Sequence, residues 1–181
     1  MKYFKNPFTK KKVRKSSEKD DLIQFLAKVS LFENLSKNDR RNLYDFIHTR
    51  KYKSQETVFK KGYPNIVMYI VKDGELNTYL DDSLKVSVKT LKPMDYFGEV
   101  GVFIDETRTA TIVAEKNSTL LAISKRDMKN FMNEFPKAGS KILYKLGKIL
   151  SHHLIIANRK LVERDTEMKE LETKLLSKME E

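Results

Sequence analysis

The chain has 181 residues, of which 40% are hydrophobic and 34% charged, so it can form one folded domain with extensions and is too apolar for wholesale disorder. Lys and Arg outnumber Asp and Glu by 36 to 25, which favours anionic partners such as nucleotides, nucleic acid or phospholipid. The absence of cysteine excludes a disulfide framework and a thiolate metal site. Neither a secretory apolar region nor a membrane span is recognisable, so we expect a cytoplasmic protein.

The N-terminal segment is strongly basic. Residues 1–21 contain eight Lys or Arg side chains against three Asp or Glu. Blocks of like charge usually stay unfolded, so the sequence predicts a flexible tail. Such a tail can also contact an anionic membrane surface or a larger protein assembly.

Two amphipathic helices and then a β-rich region are predicted. Helical spacing of apolar residues begins at Leu22, with Asp20 or Asp21 as the cap, and a second helix capped by Ser36 continues to Ile47. Further along, short segments rich in β-branched and aromatic residues alternate with turn residues, which is typical of an antiparallel sandwich or barrel. The predicted strands are residues 58–59, 66–71, 75–80, 85–91, 110–114 and 119–124.

Helical spacing returns after residue 125 and continues to the end of the sequence, with a break near residues 136–139. Leu150, Leu154, Leu161 and Met168 fall on one heptad seam, which predicts a homodimer through this C-terminal helix. Alternatively, its first half packs on the β-rich domain and its second half is solvated. The predicted domains are a tail (1–21), a β-rich domain with flanking helices (22–140) and a C-terminal lid or dimerisation helix (141–181).

The residues with the clearest chemistry lie between positions 97 and 114. Gly98 and Gly101 allow backbone N–H groups to approach a ligand, and a helical turn starting at Glu99 would direct its N-terminal donors at an anion. Arg108 can bind a phosphate through charge-assisted hydrogen bonds. Glu99 would repel a phosphate, but it can accept a hydrogen bond from a neutral ribose hydroxyl. A sugar phosphate therefore satisfies both charged groups.

Phe-Gly-Glu at 97–99, followed by Arg-Thr-Ala-Thr at 108–111, resembles the phosphate-binding cassette of the cyclic-nucleotide-binding domain family. The resemblance implies an α+β fold, with an eight-stranded antiparallel β jelly-roll barrel flanked by N-terminal helices and a long C-terminal helix. It extends over about residues 25–160 and includes segments similar to the entry helix (31–35) and early strands (59–62 and 68–76) of that family.

The resemblance also implies a ligand, cAMP or cGMP, and a role for each cassette residue. Glu99 would bind the ribose 2′-hydroxyl and Arg108 the exocyclic phosphate oxygens. Thr109 would place a hydroxyl near the phosphate or the base, and this hydroxyl is compatible with either nucleotide. Backbone contacts are expected from Gly98, Val100 and Gly101, and contacts that cap the purine from Leu150, Leu154, Asn158 and Arg159.

Two cassette positions depart from the usual family pattern. Thr107 stands where many members have Pro, and Gly101 stands where many have Ala. Neither change removes a charged contact. Both make the loop more flexible, so we expect them to weaken binding modestly.

These features favour a regulatory sensor that signals through its C-terminal helix to a partner. No catalytic residue, metal site or cofactor is predicted, since His152 and His153 are adjacent on a helix and point about 100° apart. No recognition helix is predicted after the barrel, so sequence-specific nucleic-acid binding is disfavoured. The alternative is a ligand-free scaffold or adaptor that docks through the basic tail and the coiled helix.

Overall fold

The computed structural model describes the backbone of residues 7–81 and 84–179, and the side chains of residues 17–81 and 84–169. Two compact units make up the chain, Met1–Ile142 and Leu143–Glu181. The predicted division at residue 140 and the flexibility of residues 1–21 stay predictions, and residues 1–6 of that tail lie outside the described residues. No helix within the described part of the chain is long and apolar enough to cross a membrane.

The first helix, α1 (Pro7–Leu26), begins well before Leu22, where the apolar spacing predicted its start. Lys, Arg and Glu are good helix formers without contributing to apolar periodicity, and proline is favoured at a first helical position. Asp20 and Asp21 consequently lie inside the helix, so their prediction as capping residues is wrong. At its C-terminal end Leu22, Ile23 and Leu26 are buried and Phe25 is half-buried, in agreement with their spacing.

The second helix, α2 (Lys37–Tyr44), is capped by Ser36, which confirms that prediction. The Ser36 hydroxyl accepts a hydrogen bond from the backbone N–H of Asp39 at 3.1 Å, and the Asp39 carboxylate accepts one from the backbone N–H of Ser36 at 3.0 Å. This capping box satisfies two N–H groups. The helix ends at Tyr44, before the predicted end at Ile47.

The described residues form eight strands, and all six predicted strands are among them. The sequence missed β1 (His48–Tyr52), whose side chains are almost all exposed, and β6 (Tyr96–Phe97), which has only two residues. Neither segment shows the alternation of apolar and polar residues on which strand prediction depends. The other strands are β2 (Thr57–Phe59), β3 (Val67–Asp73), β4 (Leu76–Tyr79), β5 (Lys89–Leu91), β7 (Thr111–Ala114) and β8 (Ser118–Ser124).

The strands form two four-stranded antiparallel sheets, in the orders β1-β8-β3-β6 and β2-β7-β4-β5. The jelly-roll arrangement is therefore present, but the prediction of one closed eight-stranded barrel is wrong. Closure would need hydrogen-bonded pairs between the edge strands of the two sheets, and no such pairing joins the described strands. Three of these edge strands, β2, β5 and β6, have only two or three residues, which is too short to continue the ladder around a barrel.

The core lies between the two sheets. Val71, Phe97 and Leu120 from one sheet belong to the same buried cluster as Leu76 and Ile112 from the other. On the opposite face of β3 and β8, side chains are also buried, because successive residues of a strand point to opposite faces. Helix α4 (Lys125–Glu134) packs on β8 and against α3 (Val100–Phe103). Helix α5 (Pro136–Met179) follows α4 along the chain.

Candidate functional site

The cassette is a connection that crosses from one sheet to the other. It leaves β6, passes through Gly98 and α3, and enters β7 in the second sheet. The loop between β2 and β3 makes a similar crossing and runs beside it. Backbone hydrogen bonds join the two: Gly62 N–H to the Arg108 carbonyl at 2.8 Å, Arg108 N–H to the Tyr63 carbonyl at 2.8 Å, and Asn65 N–H to the Glu106 carbonyl at 3.1 Å. The backbone of Arg108 is thus held on both its donor and its acceptor side.

Gly98 and Arg108 are brought together by the fold. Gly98 has a φ of +74°, a left-handed conformation that residues with a β-carbon rarely adopt. A β-carbon at this position would also overlap the Arg108 guanidinium and approach the carbonyl oxygen of Val67. Glycine is therefore required here both by the backbone conformation and by the space that the arginine occupies.

The guanidinium of Arg108 is enclosed, with only 5% of the residue exposed. Its Nη2 donates a hydrogen bond to the carbonyl of Val67 at 2.7 Å, and its Cζ lies 3.9 Å from the ring centroid of Phe59. The Nε and Nη1 atoms are buried without a hydrogen-bond partner. A buried polar group without a partner costs about 1 to 3 kcal/mol, and more when it is charged.

Burial lowers the pKa of Arg108, because removal from water disfavours the charged form. Tyr69 and Tyr52 act in the opposite direction. Burial and a hydrogen bond to Tyr69 raise the pKa of the Tyr52 hydroxyl, so this phenol stays neutral at physiological pH. The positively charged arginine therefore lies among aromatic side chains.

Glu99 occupies the N-cap position of α3 and is half-buried. Its carboxylate makes no capping hydrogen bond, and no ion pair joins it to Arg108 among the described residues. Burial raises the pKa of nearby Tyr96, and the negative charge of Glu99 adds to that rise. The negative charge of Glu99 and the positive charge of Arg108 are thus not paired with each other, and each group has unused hydrogen-bonding capacity.

The remaining predicted cassette residues differ in their surroundings. Val100 and Thr109 are exposed, and Gly101 is buried inside α3. A β-carbon on Gly101 would overlap both the side chain and the backbone carbonyl of Asn65. Asn65 is itself buried, and its Oδ1 has no hydrogen-bond partner. Many family members have alanine at the position of Gly101, but here Asn65 leaves no room for its methyl group.

The four residues predicted to cap a purine, Leu150, Leu154, Asn158 and Arg159, belong to the second unit and are exposed there. Their role stays a prediction. Within the described part of the chain, no group of His, Asp and Glu side chains is arranged to hold a metal ion.

Comparison with known proteins identifies a domain within this chain. Residues 49–135 match the model of the cyclic nucleotide-binding domain, a range that contains all eight strands except the first residue of β1. This chain contains a cyclic nucleotide-binding domain. The match confirms the resemblance inferred from the cassette.

Individual relatives agree with this domain. Over 101 residues the chain is 35% identical to a cAMP-dependent protein kinase regulatory subunit of Colletotrichum orbiculare, which covers 56% of the chain and 26% of the relative. It is 30% identical over 102 residues to a cGMP-dependent protein kinase of Plasmodium berghei, covering 56% of the chain and 12% of the relative. The chain thus spans about a quarter or less of these proteins.

A solved cyclic nucleotide-binding domain from Methylobacillus flagellatus has the same fold. It superposes with a TM-score of 0.68 at 18% identity, over 82% of this chain and 84% of that structure. At this level of identity, the likeness concerns the arrangement of the elements.

Sequence analysis missed three side chains beside the cassette of the cyclic nucleotide-binding domain. Phe59 and Tyr69 contributed to the prediction of strands, without a role at the site, and Asn65 received no role. Each lies far along the chain from the residue it contacts, so no local spacing could have revealed it. The Pro64 that precedes Asn65 was the only local signal, as a turn residue.

We predict that Gly101→Ala destabilises the domain. The added methyl overlaps Asn65, including its backbone carbonyl, so α3 or the neighbouring loop must move. The expected loss in free energy of unfolding is about 1 to 3 kcal/mol, measured by urea denaturation. Gly147→Ala is the matched control, because a β-carbon there meets open space on a helix and should be neutral or slightly stabilising. If Gly101→Ala unfolded with the same urea midpoint as the wild type, the close packing of Gly101 against Asn65 would be contradicted.

Proposed function

We propose that this chain is a regulatory sensor of a cyclic mononucleotide, cAMP or cGMP, that it catalyses no reaction, and that it signals through α5 to a partner. The observation that carries the proposal is the buried Arg108, whose Nε and Nη1 lack partners beside a glycine-containing loop. The relatives named for dependence on cAMP and on cGMP support both nucleotides as candidates.

An anion is the ligand that best suits this arginine. The guanidinium is positively charged, removed from water and only partly hydrogen-bonded. A phosphate oxygen would accept hydrogen bonds from the free N–H groups and neutralise the charge at the same time. Charge-assisted hydrogen bonds of this kind are roughly twice as strong as neutral ones, so ligand binding offsets the cost of burying the group.

Glu99 and the cassette backbone account for the rest of the proposed ligand. The half-buried carboxylate of Glu99 is free to accept a hydrogen bond from a ribose 2′-hydroxyl. The N–H groups of Gly98, Val100 and Gly101 and the exposed hydroxyl of Thr109 complete the set of proposed contacts. A phosphate without a ribose would leave Glu99 with no role, which is why we propose a nucleotide.

The proposed output is a homodimer through α5. Leu154, Leu161 and Met168 lie on the predicted seam, and each is between 61% and 65% exposed, with Leu150 at 39%. Apolar side chains repeated at heptad spacing on one helix are typical of helix pairing. Seam residues beyond position 169 lie outside the residues whose side chains are described.

Replacement of Arg108 by alanine should abolish tight nucleotide binding. The ligand phosphate would lose its charged partner, at an expected cost of about 2 to 5 kcal/mol, which is a loss of at least about thirtyfold in affinity. Calorimetric titration with cAMP and with cGMP measures this loss. Arg126→Ala is the control, since Arg126 is an exposed arginine of α4. Absence of heat for wild-type protein with both nucleotides would refute the proposal and favour the ligand-free scaffold.

Replacement of Glu99 by glutamine tests recognition of the ribose. The change keeps the size of the side chain and removes its charge, so we expect about tenfold weaker binding of the preferred nucleotide. The affinity difference between this nucleotide and its 2′-deoxy analogue should also shrink. If wild-type protein binds the two forms equally well, Glu99 does not bind the 2′-hydroxyl.

Substitution on the seam of α5 tests the homodimer. Leu161→Glu places a charge on the predicted seam, whereas Val162→Glu places the same charge on the adjacent position, which is off the seam and 67% exposed. Sedimentation velocity should show a dimer for the wild type and for Val162→Glu, and a monomer for Leu161→Glu. If the wild-type protein were a monomer, the proposed homodimer through α5 would be refuted.

A further inference from the structure

The side chain of Phe59, in β2, covers one face of the Arg108 guanidinium. The distance from Arg108 Cζ to the Phe59 ring centroid is 3.9 Å, and the corresponding distance to Tyr69 is 6.0 Å. Phe59 is supported by two other rings, since its centroid lies 5.8 Å from that of Phe97 and 6.2 Å from that of Tyr69. Phe97 and Tyr69 are themselves stacked at 5.4 Å. Three rings from both sheets therefore form an aromatic cluster with the arginine on its surface.

The Arg108 guanidinium is in contact with the Phe59 ring and not with a carboxylate. Within the part of the chain that the structure describes, no carboxylate pairs with Arg108, and the guanidinium donates its hydrogen bond to the carbonyl of Val67. A carboxylate partner would occupy N–H groups and cancel the positive charge. An aromatic ring attracts the flat face of the guanidinium and leaves the N–H groups along its edge free.

We propose that Phe59 is a positioning residue for Arg108, whose ring holds the guanidinium so that Nε and Nη1 stay available for the ligand phosphate. This inference rests on the proposed function, and it explains why Nε and Nη1 of Arg108 lack hydrogen-bond partners. The arginine keeps its full charge for the ligand, and its long side chain loses less conformational entropy on binding because it is already ordered. Its lowered pKa agrees with a cation held away from water, where attraction to a ring is stronger than at an exposed site.

The test compares two substitutions of Phe59 in the full chain by calorimetry with cAMP and cGMP. Phe59→Leu keeps an apolar side chain without a ring, and Phe59→Tyr keeps the ring. We expect Phe59→Leu to weaken binding of the preferred nucleotide about fivefold to thirtyfold, and Phe59→Tyr to restore most of the affinity. Phe46→Leu is the matched control, because Phe46 is also half-buried and contacts another aromatic ring, Phe131, away from Arg108. It should lower stability without changing affinity.

A second measurement needs no ligand. Urea denaturation of wild-type, Phe59→Leu, Arg108→Gln and the double variant gives the coupling between the two side chains. If the ring holds the cation, Phe59→Leu should shift the urea midpoint further when Arg108 is present than when Gln replaces it. Equal shifts in both backgrounds would overturn the inference, even if Phe59→Leu impaired binding through a general loss of packing.

The outcomes separate this inference from the proposed function. Unchanged or tighter nucleotide binding by Phe59→Leu, together with normal binding by the wild type, would overturn the role of Phe59 and leave the sensor intact. Loss of affinity in Phe46→Leu equal to that in Phe59→Leu would also overturn it. Failure of the wild type to bind either nucleotide would refute the sensor itself, and with it any role for Phe59 in ligand binding.

Discussion

The enclosure of the Arg108 guanidinium between two sheets is the constraint on which the site depends. A charged group in this position needs attraction from its surroundings, and here a carbonyl oxygen and an aromatic ring supply it. Neither of them uses all of the available N–H groups, so the folded protein retains unsatisfied hydrogen-bonding capacity at one place. Unsatisfied polar groups are rare in protein interiors, and their presence beside a glycine-rich loop suits a ligand that supplies the missing acceptors.

The backbone around this arginine is held by the pairing of two connections. Both cross from one sheet to the other, and their mutual hydrogen bonds place Arg108 opposite Tyr63 and Gly62. Gly98 and Gly101 then let the cassette approach the arginine and Asn65 more closely than any residue with a side chain would allow. A rigid β-sandwich thus carries a short, closely packed loop, which is a common way to position binding residues.

The long helix α5 presents a different physical situation. Its described residues beyond Leu150 are exposed, and many of them are large and apolar. A single helix in water gains little stability from its own hydrogen bonds, so most helices depend on packing of an apolar face. A partner helix in a homodimer would supply that packing. This is why we place the proposed output of the sensor in α5.

The sequence by itself indicated the cyclic nucleotide-binding domain, its jelly-roll class and the segment that holds the candidate site. These depend on local features: Phe-Gly-Glu and Arg-Thr-Ala-Thr are short motifs at a fixed spacing, and six strands showed local β patterning. Ser36 was likewise identified as a cap from its position just before a helix. The early start of α1 was not found, because charged helix formers leave no apolar period.

Only the tertiary structure decided how distant segments meet. The separation of the eight strands into two sheets, the contact of Phe59 with Arg108 and the packing of Asn65 on Gly101 all join residues far apart along the chain. Local spacing has no information about such pairs, because they are set by which faces of the sheets are buried together. For the same reason, the sequence predicted Arg108 as a cation for a phosphate, while its burial and its free N–H groups became evident from the fold.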